Sequence, residues 1–229
     1  MPRGPYDSHP LATPVLVALV AASVILVTLF LLNAIAYAYR RIGISEGALF
    51  AFLAASLVGG MINIPVARLR SPARPWVAEI IVFGVRYRVP VVRRPGTTIL
   101  AVNVGGALIP TGLSIWLLAN DHVWLQAAVG VAVVAVVVRM IARPVEGLGI
   151  AVPGLVPPIV AACAALLIAP RSAAAVAYIA GTLGTLIGAD LLNLHRIRSL
   201  GAGVASIGGA GTFDGVFLSG IVAVLLVGL

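Results

Sequence analysis

A run of 27 residues, 13–39, passes without one charged side chain. At about 1.5 Å per helical residue it exceeds the roughly 30 Å hydrocarbon core of a bilayer. Six further apolar stretches, about 47–65, 97–119, 123–141, 152–169, 172–193 and 207–229, occupy most of the remaining chain. Hydrophobic residues fill 61% of the 229 positions and charged ones only 10%, against about half and about a quarter in soluble domains. One water-soluble core of this size cannot hide that much apolar surface. Soluble globular, disordered and disulfide-scaffold classes are therefore excluded. Cys163 is the single cysteine, which leaves no internal disulfide and no multi-cysteine metal site.

The expectation is an all-α integral membrane protein with about seven transmembrane helices, a single polytopic domain over residues 1–229. The first run is too long for a cleaved signal peptide and has no strong basic segment before it. The fifth carries Pro153, Pro157 and Pro158, so it is expected to be broken or kinked at its start.

All fifteen basic residues are arginine, against seven acids, for a net charge of +8. They sit in short connections between apolar runs rather than on a soluble face with interleaved aromatics, which argues against a nucleic-acid partner. They read as topology signals and contacts to lipid headgroups. With the N-terminus in the cytoplasm, the inside segments hold Arg3, Arg68, Arg70, Arg74, Arg86, Arg88, Arg93, Arg94, Arg139, Arg143, Arg196 and Arg198. The outside segments hold Arg40, Arg41 and Arg171. The positive-inside rule favours this orientation in the cell membrane, with the Arg40–Arg41 pair dissenting.

One connection is long, residues 66–96. Residues 85–89 alternate apolar and basic, the period of a half-buried strand, and Gly84 suits a turn. The segment reads as a short β-hairpin over 79–92 on the cytoplasmic surface, or as an amphipathic loop held by arginine to lipid phosphate. Small residues punctuate the spans: Gly59-Gly60, Gly105-Gly106, Gly181, Gly184, Gly188, Gly211, Gly215 and Gly220. Close helix packing accounts for most of them.

Asp7, Glu46, Glu79, Asp121 and Glu146 fall in tails or connections, whereas Asp190 and Asp214 fall inside spans. An ionisable side chain at bilayer depth costs at least about 2.5–3.5 kcal/mol and marks a functional site by default. Asp190 lies about four residues before the end of the sixth span and Asp214 about seven after the start of the seventh. That places them roughly 6 and 10 Å deep on the same, cytoplasmic, side. Facing each other across antiparallel helices, two carboxylates in low dielectric do not both ionise easily. One stays a base that activates water; the other keeps its proton and polarises a peptide carbonyl. Asn193, three residues after Asp190, shares its helical face and suits an orienting role.

Two aspartates on consecutive membrane helices, the second after the glycine-rich Gly209-Ala-Gly211-Thr-Phe-Asp214, resemble the aspartyl intramembrane proteases. That group comprises presenilin, signal peptide peptidase and prepilin peptidase. Its second motif is Gly-x-Gly-Asp; here two residues intervene between Gly211 and Asp214. The resemblance covers chiefly residues 172–229, the helix pair carrying both aspartates. It implies catalytic Asp190 and Asp214, and a Pro-Ala-Leu-like lining element whose nearest match is Pro153-Gly154-Leu155. Gly211, Thr212 and Gly215 would line the substrate path. Across the whole chain, Asn63-Ile-Pro, Asn103-Val-Gly-Gly and Ile187-Gly-Ala-Asp-Leu-Leu-Asn also look like a widespread prokaryotic membrane family of unknown function.

The leading expectation is an intramembrane aspartyl protease cleaving transmembrane or membrane-proximal peptide segments, with membrane lipids as its other partner. Buried aspartates also mark ion routes, so a proton- or cation-coupled transporter or channel is the first alternative. A non-catalytic membrane scaffold is the second. His195 with Asp190 and Asp214 matches no recognised ligand spacing, so neither a metal nor another cofactor is expected.

Overall fold

The computed structural model describes residues 12–71, 74–82, 85–93, 96–145, 149–197, 204–209 and 213–228; the segments 74–82 and 85–93, and residues 213–214, are described as backbone. The elements in chain order are α1 (Ala12–Arg41), α2 (Glu46–Gly60), β1 (Asn63–Ser71), β2 (Arg74–Val82), β3 (Val85–Arg93) and β4 (Gly96–Asn103). A π-helical turn (Val104–Leu108) then leads into α3 (Ile109–Asp121), followed by α4 (Trp124–Ile141), β5 (Arg143–Val145), β6 (Gly149–Ala151) and α5 (Val156–Ile168). Next come α6 (Ala173–Thr185), a second π turn (Leu186–Asp190), a 3-10 turn (Leu191–Asn193), the one-turn α7 (Leu194–Ile197), β7 (Val204–Ile207) and α8 (Phe213–Val227).

The structure is mostly helical, with three helical stretches long and apolar enough to cross a membrane: Pro14–Arg41, Trp124–Ile141 and Pro170–Arg196. Shorter apolar helices span Gly47–Gly60, Val156–Ile168 and Gly215–Val227. α6 is the central helix, packed against α3, α4, α5 and α8. Its neighbours approach closely because its contact face is nearly bare. A Cβ on Gly184 would lie 2.5 Å from the Val134 Cβ, and one on Gly188 would lie 2.6 Å from the Ala135 carbonyl oxygen.

Much of the interior is small: Ala161, Ala165, Val176, Ala177, Ala180, Val134, Val138, Ala223 and Val224 are all buried. Many of the larger side chains point outward, among them Phe30, Phe50, Leu125, Met140 and Leu167. α1 is the extreme case, with no residue of its most apolar 18-residue window buried. Its few polar side chains turn back on the helix: Ser23, Thr28 and Asn33 each donate to the carbonyl four residues earlier at 2.8 Å, which removes unpaired donors from an apolar surface.

The connections alternate between two ends of the bundle. Arg41–Gly43, Asp121, Pro170–Ala175 and Val227 meet around one cavity, so α1, α3, α5 and α8 finish where α2 and α6 begin. At the other end lie the strands. β4 is central in a three-stranded sheet, antiparallel to β1 and parallel to β7. β1 is an edge strand with a register shift between Pro65 and Ala67, where a proline lacking its N–H is tolerated. β2 and β3 form a separate antiparallel hairpin, with Val82 opposite Val85; Gly84, expected at its turn, lies outside the described residues.

The strands correct two of the expected spans and add a three-stranded sheet to the expected hairpin. The stretch 47–65 is helical only to Gly60 and becomes β1 at Asn63; the stretch 97–119 begins as β4 and turns helical at Val104; β7, Val204–Ile207, ends at the first residue of the stretch 207–229. A short apolar run has no periodicity that separates a buried strand from a buried helix. Thr97-Thr-Ile-Leu-Ala-Val is rich in β-branched residues, and a sheet partner on each side decides the matter. The fifth stretch differs too. Pro157 and Pro158 open α5 rather than kink it, since the first helical turn needs no N–H from them.

Candidate functional site: a buried aspartate beneath a glycine turn

The helix that carries Asp190 changes pitch to present it. α6 widens into the π turn at Leu186, tightens at Leu191, and places Asp190 at the join, only 3% exposed. π turns arise from one inserted residue and are frequent at functional sites. Asn193, wholly buried, donates through Nδ2 to the carbonyls of Gly188 at 2.9 Å and Ala189 at 3.0 Å. It thereby satisfies two carbonyls that the pitch change frees. Its Oδ1 has no partner among the described residues.

One oxygen of Asp190, Oδ2, accepts the backbone N–H of Gly208 at 2.8 Å. Gly208 ends β7 in the left-handed region, with φ +65°. A Cβ there would lie 2.6 Å from the Gly106 carbonyl carbon and 2.7 Å from Ala107 N, so both conformation and space require glycine.

A polar cluster ties the sheet to this turn. Asn103, at the end of β4, accepts from Gly106 N through Oδ1 at 2.7 Å and so caps the first π turn. Its Nδ2 donates to Gly60 O at 2.8 Å and to Asn63 Oδ1 at 3.1 Å. Asn63 Oδ1 also accepts from Ser206 Oγ at 2.5 Å. Asn63, Asn103 and Ser206 thus join β1, β4 and β7 side by side, two residues before Gly208.

α8 leaves the glycine-rich segment and runs back along α6 in the opposite direction. Val216 is buried with Leu186, Ala107, Leu100 and Ile207. The first turn of α8 therefore sits beside the π turn that ends in Asp190, and the backbone of residue 214 belongs to that first turn. The side chain of Asp214, and Gly211 and Thr212, lie outside the described residues. Gly215 is half-buried, and a Cβ on it would meet nothing within 4 Å among the described residues. Pro153, Gly154 and Leu155 form the exposed turn before α5. β6, just upstream of that turn, touches the π turn of Asp190.

Sequence reasoning missed the sheet cluster of Asn63, Asn103 and Ser206. Asn63 and Asn103 stood out only as parts of separate motifs, each near a Gly-Gly pair, with nothing to place them together or beside Ser206. No group of three or more His, Cys, Asp or Glu that could hold a metal occurs among the described residues.

These features define a class: an apolar helical bundle, capped at one end by a small mixed sheet, with a single buried carboxylate where the two meet among the described residues. The chain belongs to the family described as Protein of unknown function (DUF1614), whose model matches residues 57–226. No curated protein and no solved structure matches it.

Proposed function

We propose that the chain is embedded in the cell membrane and acts as an intramembrane aspartyl protease through Asp190 and Asp214. Embedding is supported by the inverted packing. A helix of 30 residues exposing apolar side chains on every face is untenable in water and ordinary in lipid. The arginine distribution supports a cytoplasmic position for the sheet-capped end, together with the N-terminus.

The observation that carries the protease reading is the bond between Asp190 and Gly208 N. It brings a buried carboxylate to the glycine segment that enters, within six residues, the helix turn carrying Asp214. One carboxylate takes a proton from water, and the resulting hydroxide attacks a peptide carbonyl. The other carboxyl gives its proton toward the carbonyl oxygen, and the amine leaves after reprotonation. The substrate is an unwound transmembrane or membrane-proximal segment, since a helix holds its carbonyls in internal hydrogen bonds. The open space at Gly215 supports access beside Asp214.

The test is cleavage of single-span reporter peptides co-reconstituted with the purified full chain in liposomes, with products read by mass spectrometry. Wild type cuts a reporter; Asp190→Asn and Asp214→Asn do not. Wild-type cleavage rates in either variant would end this reading.

A second reading, proton movement, draws on the polar interior of α6. Thr185 and Asn193 flank the approach to Asp190, and Thr185 Oγ1 and Asn193 Oδ1 are buried without partners among the described residues. Such atoms are ordinarily satisfied by internal water. A pH-sensitive dye inside the same liposomes distinguishes the readings: flux lost in Asp190→Asn, with no cleavage by wild type, selects transport.

A further inference from the structure

Arg40, Arg41 and Arg171 are the arginines that oppose the orientation set by the other twelve. Arg41 and Arg171 are 130 positions apart in sequence, yet they line one cavity of about 580 Å³ at the end of the bundle opposite Asp190. Its lining is mainly polar, with Ile42, Leu166 and Val227 contributing apolar surface, and the first turn of α6 forms one wall. Ser172 before that turn makes no side-chain capping bond.

Among the described residues that line this cavity, two arginines stand against one aspartate. Arg41 lies over the Tyr37 ring, its guanidinium carbon 5.8 Å from the centroid, which steadies the side chain without neutralising it. Among the described residues, neither Arg41 nor Arg171 has a side-chain hydrogen bond or ion pair. Asp121 lines the same cavity and pairs with neither. Two guanidinium groups, each a planar fork of donors, match the oxygens of a phosphate.

We propose that this cavity binds a phosphate-bearing anion, held by Arg41 and Arg171. The headgroup of an anionic phospholipid from the adjoining leaflet and a soluble phosphate share that chemistry. Leu166, 45% exposed, offers apolar surface at the cavity on which the acyl-bearing end of a phospholipid can rest. Asp121 faces the same anion and weakens its binding. Retention of cations on this side, against the topology signal, then has a physical reason. None of this depends on the chemistry at Asp190.

The test uses the full-length chain in phosphate-free maltoside micelles, with the melting temperature followed by intrinsic tryptophan fluorescence. Micelles are doped with dioleoylphosphatidylglycerol or with dioleoylglycerol, which has the same chains and no phosphate. Inorganic phosphate is titrated separately against chloride at equal ionic strength. A rise with phosphatidylglycerol alone identifies a lipid headgroup, and a rise with inorganic phosphate identifies a soluble anion. Arg41→Gln and Arg171→Gln weaken the apparent affinity at least about tenfold. Asp121→Asn tightens it about two- to fivefold. Arg139→Gln, in the last turn of α4 at the other end, leaves it unchanged. Equal stabilisation by dioleoylglycerol or chloride, or none by either phosphate compound, overturns the proposal without recourse to a variant. Wild-type affinity in folded Arg171→Gln overturns it as well.

Discussion

Asp190 and Gly208 meet through one hydrogen bond, carboxylate Oδ2 to backbone N–H at 2.8 Å, and both residues are buried. That contact gives the aspartate a structural duty whatever chemistry it performs. It fixes the exit of β7 against the end of α6. Two kinds of substitution separate structure from chemistry. Asp190→Asn keeps an acceptor for Gly208, whereas Asp190→Ala leaves a buried N–H unpaired, at about 1–3 kcal/mol. The expected outcome is a smaller loss of unfolding free energy in Asn than in Ala, with reporter cleavage absent in both. Denaturant unfolding in mixed micelles, run beside the cleavage assay, measures the two effects on the same samples.

Gly208→Ala attacks the other partner. The left-handed backbone costs a residue with a Cβ about 1–2 kcal/mol, and the collision with Gly106 and Ala107 adds to it. Destabilisation of at least about 2 kcal/mol is expected by the same unfolding measurement. Gly112→Ala is the control: it sits on an exposed part of α3 with nothing within 4 Å of the new methyl among the described residues. There the change is neutral or stabilising by up to about 1 kcal/mol.

Asn103→Ala tests the sheet cluster. It removes one accepted and two donated hydrogen bonds at a side chain only 1% exposed. A loss of about 2–4 kcal/mol is expected, since each bond contributes about 1 kcal/mol and buried partners are left behind. Hydrogen exchange should quicken first at Gly106 N and along β4. A variant as stable as wild type would show that the cluster follows the fold rather than holding it.

Much of the helical architecture was legible in the residue order. Runs of about 20 apolar residues recognise a bilayer-crossing length, and the arginines between them mark where the chain turns. Gly184 and Gly188 were readable as a close-packing face, and their partners on α4 are Val134 and Ala135. The hairpin register was partly visible in the alternation over 85–89. Three features were not. β4 lay hidden because an apolar strand buried between two others has no alternation to betray it. β7 was hidden behind a glycine-rich stretch that reads as a loop or a helix start. The role of Asn63 depends on Asn103 and Ser206, 40 and 143 positions away, and no local pattern encodes a contact at that separation.

Residue order alone marks the long apolar helices and the two acids that fall within apolar runs. Those properties depend on composition and on order over a turn or a span, which act through transfer free energy and helical period alone. Long-range packing selects which apolar runs become strands, widens the helix of Asp190 where it meets Gly208, and brings Arg41 and Arg171 to one cavity. Each of these is settled by a partner distant in the chain: a neighbouring strand that takes up backbone hydrogen bonds, a glycine that lets another backbone approach, or a second cation brought within reach of one ligand.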